Sequence, residues 1–409
     1  MGMNNTAVPD GWTQVHVRDL ITKKFTGPSP TCDERPIASD DEWGLLKTTA
    51  VTWDGWREEA HKVPPASYWG NESIEVRAGD VLITKAGPRH RVGVVVHVRS
   101  TRPHLMVSGK MVGLRPRTSV VLPQILAGLL STKVVQEYLN ARTTGMAESQ
   151  TNFADEALLS AELVLPTMPE QLRIARILDA IDEQIAASRR ILSKLRLEAE
   201  GVLDRLVQEL SPADFVPLAD LCTADICYGI VQSGVFVPGG VPVLAIRDLD
   251  GDFETGVHLT SRSIDAQYRR SRVAPGDVLL SIKGTIGKVG IVPDTYNGNI
   301  SREIARIRFS ARTDPAFARY YLLSREAQRR LDLAVVGTTR AEVSIHVLKK
   351  FAFPSPAIQY QRNVARVMTA LQERQESERI ALTKLQAMRR GLFEDLLSGR
   401  VRVPAEVAS

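Results

Sequence analysis

The feature that most restricts what this chain can fold into is that it is written twice. Ala78-Gly79-Asp80-Val81-Leu82-Ile83-Thr84 returns as Pro275-Gly276-Asp277-Val278-Leu279-Leu280-Ser281, 197 residues later. At the same offset Gly87 meets Gly284, Arg91 meets Lys288, and Val92-Gly93-Val94-Val95 meets Val289-Gly290-Ile291-Val292. Upstream, Asp19-Leu20 matches Asp220-Leu221, and downstream Leu130-Ser131 matches Leu323-Ser324. Residues 171–207 align without a gap to 361–397, with 11 of 37 positions identical, among them Gln171/Gln361, Glu183/Glu373 and Gly201/Gly391. A period of about 190–200 residues is far longer than any solenoid unit. It is the size of a whole domain plus a helix, so the order is domain, long helix, domain, long helix.

The helical copies carry a heptad pattern. Ile174, Ile181, Ser188, Leu195 and Val202 recur every seven residues, and Leu178, Ile185, Leu192, Ala199 and Leu206 follow four residues later. This is one narrow apolar seam that an isolated helix cannot bury. Pro166 and Pro169 mark the start, and Pro212 ends the run. The second copy puts Val364, Leu371, Leu382, Leu385, Leu392 and Leu396 on the seam, with Gln375, Glu378 and Arg389 interrupting it. The helices could pack on their own domains or on each other; equal length and shared phase favour antiparallel packing on each other. Rods of some 40 residues are about 60 Å long.

The domain parts read as mixed α and β. Valine-rich runs at 81–84, 92–98, 278–282 and 289–292 predict strands, joined by short Gly- and cation-bearing loops at 85–91 and 283–288. A helix is expected in each copy near 123–142 and 315–333. The predicted boundaries are a first domain at 1–165, a long helix at 166–210, a second domain at 211–353 and a second long helix at 354–409.

Charge is distributed unevenly. Residues 30–80 hold 11 acids and 5 cations, residues 81–145 hold 10 cations and 1 acid, and residues 262–330 hold 14 cations and 6 acids. Basic blocks of +9 and +8 at matching places in a repeat point to a polyanion, most simply nucleic acid. Three cysteines without a Cys-x-x-Cys pair exclude a disulfide scaffold and a zinc module and fit a reducing cytoplasm. The longest apolar run, Val120–Leu130, is broken by Pro123 and Gln124, and no membrane span is expected.

The sequence carries no motif of a chemical centre. Asp314-Pro315-Ala316-Phe317 is similar to an amino-methyltransferase tetrapeptide, but Ala316 replaces its second proline, and the segment reads as a helix start with Asp314 as cap. Gly284-Thr-Ile-Gly-Lys-Val-Gly lacks the phosphate-loop spacing and reads as a hairpin turn. Asp40-Asp41-Glu42 reads as an exposed acidic loop, and the seven histidines show no metal-ligand spacing.

Together these features resemble the specificity (S) subunit of type I restriction–modification systems. The resemblance rests on Pro166-Thr-Met-Pro-Glu-Gln-Leu-Arg-Ile-Ala-Arg-Ile-Leu178 at the helix start, on Lys384-Leu385 with Gly391-Leu-Phe-Glu-Asp-Leu-Leu-Ser-Gly399 at its end, and on Pro9-Asp10-Gly11-Trp12 at the domain opening. Two departures stand out. The second helix start, Pro354-Ser-Pro-Ala-Ile-Gln-Tyr-Gln361, reads as two residues longer and lacks the Glu. The first hairpin loop has Pro88-Arg89-His90 where the family type is kept at Thr285-Ile286-Gly287.

The resemblance implies an α/β fold: two similar target recognition domains joined by two long helices in an antiparallel coiled coil, a pseudo-twofold internal repeat. It implies a non-catalytic, cytoplasmic chain that reads a bipartite, interrupted target in double-stranded DNA. Two methyltransferase subunits would dock on it and methylate adenine with S-adenosylmethionine, which they and not this chain would bind. Restriction–translocase subunits would join for cleavage. A related bipartite type II system, with nuclease and methyltransferase on one partner polypeptide, fits the sequence equally. The residues expected to contact DNA are Lys85, Arg89, His90, Arg91, Ser149, Gln150 and Asn152 in the first copy, and Lys283, Thr285, Lys288, Thr338, Thr339 and Arg340 in the second. Arg suits guanine, and Asn and Gln suit adenine. The helix face with Arg173, Arg176, Arg189 and Arg190 is the expected methyltransferase docking surface.

Overall fold

A computed structural model describes residues 8–144, 151–251, 253–336 and 341–404. The chain divides into two compact units, Met1–Ala186 with Thr383–Ser409, and Ala187–Leu382. The units therefore cut across the boundaries expected from the sequence. Each long helix, Met168–Gln208 and Ile358–Leu397, gives one half to each unit.

Two sheets recur in both units. The first has a four-stranded antiparallel sheet in the order Ile21–Phe25, Met111–Pro116, Val81–Thr84, Val95–His97. The second repeats it as Cys227–Tyr228, Ile304–Ile307, Val278–Ser281, Val289–Ile291. A three-stranded sheet follows in each, with Gly44–Leu46 or Val241–Leu244 at its centre, one neighbour parallel and the other antiparallel. The repeated Gly-Asp has a structural reason. Asp80 accepts from the Arg77 amide (2.8 Å) and pairs with Arg115 through two 2.9 Å bonds. Asp277 does the same with the Ala274 amide (2.8 Å) and Arg308 (2.7 Å twice). One carboxylate thus closes the turn before the strand and ties it to its neighbour.

Backbone pairing corrects the repeat in three places. Thr84 and Ser281 are equivalent, but beyond the loop Thr84 N donates to Val94 O whereas Ser281 N donates to Lys288 O. The first loop is thus three residues longer, and Gly93 corresponds to Gly287, not Gly290. Both glycines have left-handed φ, +87° and +91°, and a Cβ on either would strike a glutamine side chain. Those glutamines, Gln136 and Gln328, donate to the Gly93 and Gly287 carbonyls (2.9 Å each) and to Leu130 and Leu322 (2.7 and 2.6 Å). Leu130 accordingly matches Leu322, one residue from the sequence pairing. Each expected helix is also two: Pro123–Ser131 and Lys133–Asn140, then Pro315–Leu323 and Arg325–Leu333. Thr132 and Ser324 break them with extended backbone, Ser324 capping the Ala327 amide. Asp314 caps Ala316 and Phe317 with Pro315 in the first turn, as its sequence predicts.

The third correction concerns the helix starts. Gln171, buried, donates to Val120 O and Pro166 O (3.0 Å each) and accepts from Leu122 N (2.9 Å). Gln361 is 0% exposed and makes the same three bonds with Arg312 O (2.9 Å), Pro356 O (2.8 Å) and Asp314 N (2.9 Å). Pro166 is therefore equivalent to Pro356, and the second start is not longer. The missing Glu has a cause as well. Glu170 is buried and receives two bonds from Arg402 (2.8 and 2.9 Å) and one from the Trp12 indole (2.8 Å). The helix offset puts Pro212 where that arginine would be and Tyr360 where the glutamate would be. Burial works against ionisation of Glu170, but Arg402 and Trp12 hold its carboxyl below the ordinary range. Arg402→Ala is expected to destabilise the first unit in urea unfolding at neutral pH, because it leaves the buried Glu170 carboxylate without its charge partner. Because the folded carboxyl is more acidic than the unfolded one, that contribution is fully present above the ordinary value of 4.5 and fades as pH falls below it.

The two long helices pack antiparallel on each other within each unit. In the first, Asp182 pairs with Arg389, and Ile174 and Leu178 share a core with Leu396 and Leu397. In the second, Ser188 donates to Glu378 (2.7 Å) and Gln375 to Leu195 O (3.0 Å), while Leu203, Val364 and Met368 share a core. The three polar interruptions of the second heptad thus each meet a partner on the first helix. Polar seam contacts of this kind fix register more than they add stability.

Candidate nucleic-acid interface

At one end of each four-stranded sheet two loops meet. In the first unit Ala86–Gly87 pairs with Thr151–Phe153, which pairs with Thr143–Thr144. Lys85 N and Ala86 N both donate to Lys110 O (2.9 and 3.2 Å), bringing in the turn before Met111. In the second unit Lys283 bridges Glu342, Gly284 N donates to Ala341 O (3.0 Å), and Val343 N to Ile282 O (2.8 Å). The hairpin loop and the segment after the helices, far apart in sequence, are adjacent in both units.

The side chains at these ends differ from one another electrostatically. Lys85 is ion-paired with Asp155 (2.9 Å), which Lys24 also contacts. Burial opposes the charge on Asp155, yet the two lysines hold its carboxyl below the usual range. Arg91 is half-buried and donates to the Thr48 carbonyl (2.8 Å), so it braces the loop. The Arg89 and His90 side chains are exposed and make no hydrogen bond or ion pair among the described residues. Asn152 is exposed, with its side-chain amide oxygen Oδ1 accepting from Thr144 Oγ1 (2.9 Å). In the second unit Lys283 pairs with Glu342 (2.6 Å) and Lys288 with Asp250, leaving Thr285 exposed. Ser149, Gln150, Thr338, Thr339 and Arg340 lie outside the described residues.

The sequence missed Lys110, which is exposed beside the first loop without an ion pair among the described residues. Its signal was the Gly109-Lys110 turn ahead of a strand, at the same sheet end as Lys85. The second basic block also has less free charge than its sequence count. Arg272, Arg308, Arg325 and Arg330 pair with Asp265, Asp277, Glu200 and Glu326, and Arg306 is buried on backbone carbonyls. On the helices, Arg176, Arg189 and Arg190 are exposed, whereas Arg173 is half-buried.

Among the described residues no cluster of three His, Cys, Asp or Glu side chains is placed to hold a metal, and no helix is long and apolar enough to cross a membrane. The fold defines a duplicated α/β chain in which the same two loops meet in each unit. The model of the type I restriction modification DNA specificity domain matches residues 211–386. The EcoEI specificity subunit of Escherichia coli is 38% identical over 167 residues, 41% of this chain and 28% of that protein. The Escherichia coli EcoBI specificity subunit is 29% identical over 261 residues, 56% of this chain and 54% of that protein. The chain thus spans about half or less of the length of these two relatives. The MjaVIII specificity subunit of Methanocaldococcus jannaschii is 22% identical across 98% of this chain and 95% of its own. Among solved structures, a chain from work on assembly and conformational transition of the type I restriction–modification system superposes with a TM-score of 0.59 at 17% identity, covering 97% of this chain and 100% of its own. The S subunit from M. genitalium gives 0.56 at 14%, covering 97% and 98%. The chain is thus similar to type I restriction–modification specificity subunits, and residues 211–386 match the DNA specificity domain of those proteins.

Proposed function

We propose that this chain reads a bipartite, interrupted target in double-stranded DNA, one half with each unit, and carries no catalysis itself. The observation that carries the reading is the duplicated meeting of two loops at the same sheet end in both units. Adenine methylation then belongs to methyltransferase subunits, which supply S-adenosylmethionine and dock on the long helices where Arg176, Arg189 and Arg190 are exposed. Cleavage belongs to restriction subunits. The sequence-level alternative, a combined nuclease–methyltransferase partner, is separated by what the neighbouring partner polypeptide contains.

The test is to co-express the chain with its methyltransferase partner and map methylated adenines. The expected pattern is an asymmetric pair of half-sites with a fixed unread gap; one continuous palindrome overturns the two-reader proposal. The proposal extends to the helices as the element that sets the gap. Four residues added to one long helix lengthen it by about 6 Å, one to two base pairs at 3.4 Å each. The gap should change by that amount while both half-site sequences persist.

A further inference from the structure

The acidic stretch 30–80, which the reading above leaves unused, contains a minimal β-hairpin. Val51–Thr52 pairs with Gly55–Trp56, leaving Trp53 and Asp54 alone at the tip. Thr52 Oγ1 donates to Gly55 O (2.8 Å), and Gly55 takes a φ of +126° that the turn requires. The hairpin is not a flap. Trp56 packs into the second hydrophobic core of the first unit, and both short strands lie against Val95–His97. Arg91 fastens it to the basic loop through the Thr48 and Val51 carbonyls (2.8 and 3.4 Å). Arg89 and His90, the loop's unpaired side chains, follow the same short 3-10 turn as Arg91.

The tip has no structural reason to look as it does. Trp53 is 56% exposed, and neither it nor Asp54 makes a hydrogen bond or ion pair among the described residues. An exposed tryptophan on a braced, two-residue tip is a contact surface rather than core. Asp54 narrows what it contacts. A carboxylate is repelled by phosphates but can accept from an exocyclic base amine, as acidic side chains do from cytosine N4. The DNA major groove admits a two-stranded ribbon and displays both that amine and the thymine methyl.

We infer that the Val51–Trp56 hairpin is a major-groove reader of the half-site bound by the first unit. Asp54 accepts from a cytosine N4 amine, Trp53 packs on a neighbouring thymine methyl, and Arg89 and His90 sit at the flanking phosphates. The inference rests on the proposed role of the first unit as a half-site reader and adds the residues and bases it uses.

The test employs the whole complex with its methyltransferase partner, comparing Trp53→Ala and Asp54→Asn with wild type by methylation mapping. Asp54→Asn is expected to lower discrimination for cytosine about tenfold at one base pair of one half-site. Trp53→Ala should relax a thymine at an adjacent position, with the other half-site unchanged. Wild-type methylation without sequence preference defeats the functional proposal itself, whatever the hairpin does. Specific wild-type methylation, kept by both variants, overturns the hairpin assignment alone. Loss of partner assembly with unchanged sequence preference in what still assembles also overturns it, by making the tip a protein contact. Trp53→Phe keeps an aromatic ring at the exposed tip and isolates the emission of Trp53. The difference in emission between wild type and this variant should be quenched by cognate duplex and not by unrelated duplex; equal responses to both count against the inference.

Discussion

Gln361→Ala is expected to destabilise the second unit by about 3 kcal/mol, because each buried polar group left unpaired costs about 1–3 kcal/mol. The substitution strips partners from the Asp314 amide and from the Arg312 and Pro356 carbonyls at once. No water-filled route compensates, since the side chain is fully buried. The damage reaches the helix Pro315–Leu323, whose cap is Asp314. Hydrogen exchange should show faster opening of the Phe317–Leu322 amides, with the first unit unaffected. Gln171→Ala should produce the mirror result around Leu122 and the helix Pro123–Ser131. A loss under about 0.5 kcal/mol would remove the glutamine anchor as the reason for this shared residue.

Replacing Arg89, His90 and Lys110 together by alanine is expected to weaken DNA binding of the complex more than any other change at the candidate interface. These three are exposed and unpaired among the described residues. If Arg89 and Lys110 each neutralise one phosphate, the slope of log affinity against log salt should flatten by about 2, at roughly 0.9 per contact. Lys283→Ala and Lys288→Ala form the contrast. Their charges are already matched by Glu342 and Asp250, so each should flatten the slope by less than half as much. Filter-binding titrations from 50 to 200 mM salt separate the two outcomes. An equal effect in both units would mean that those ion pairs open on DNA.

How much could be read from the chain alone varies with the range of the interaction involved. The helices were legible because a heptad repeats within a few turns, and Asp314-Pro315 because a cap acts over three residues. The hairpins at Val81–His97 and Val278–Ile291 were legible because their strands are near neighbours in sequence. The offsets failed at the first loop because a three-residue insertion leaves similar valine–glycine pairs on either side, so that letter matching chose Gly290. Only hydrogen-bond register shows that Gly287 holds the place of Gly93.

The candidate interface divides in the same way. The sequence nominates Arg89, His90 and Lys85 because they lie in one loop, and Ser149, Gln150 and Asn152 because they follow the helix. Nothing local says that Lys85 is opposite Asp155, Lys283 opposite Glu342 or Lys288 opposite Asp250. Nothing local makes Arg91 a brace and leaves Arg89 free. The sequence by itself determined the duplication, the seam of the paired helices and the loops that carry cations. The tertiary structure alone decided which of those cations keep a free charge and that Trp53 remains at the surface. A net charge is a sum over a segment, whereas the field that a ligand meets depends on ion pairs closed by residues tens of positions away.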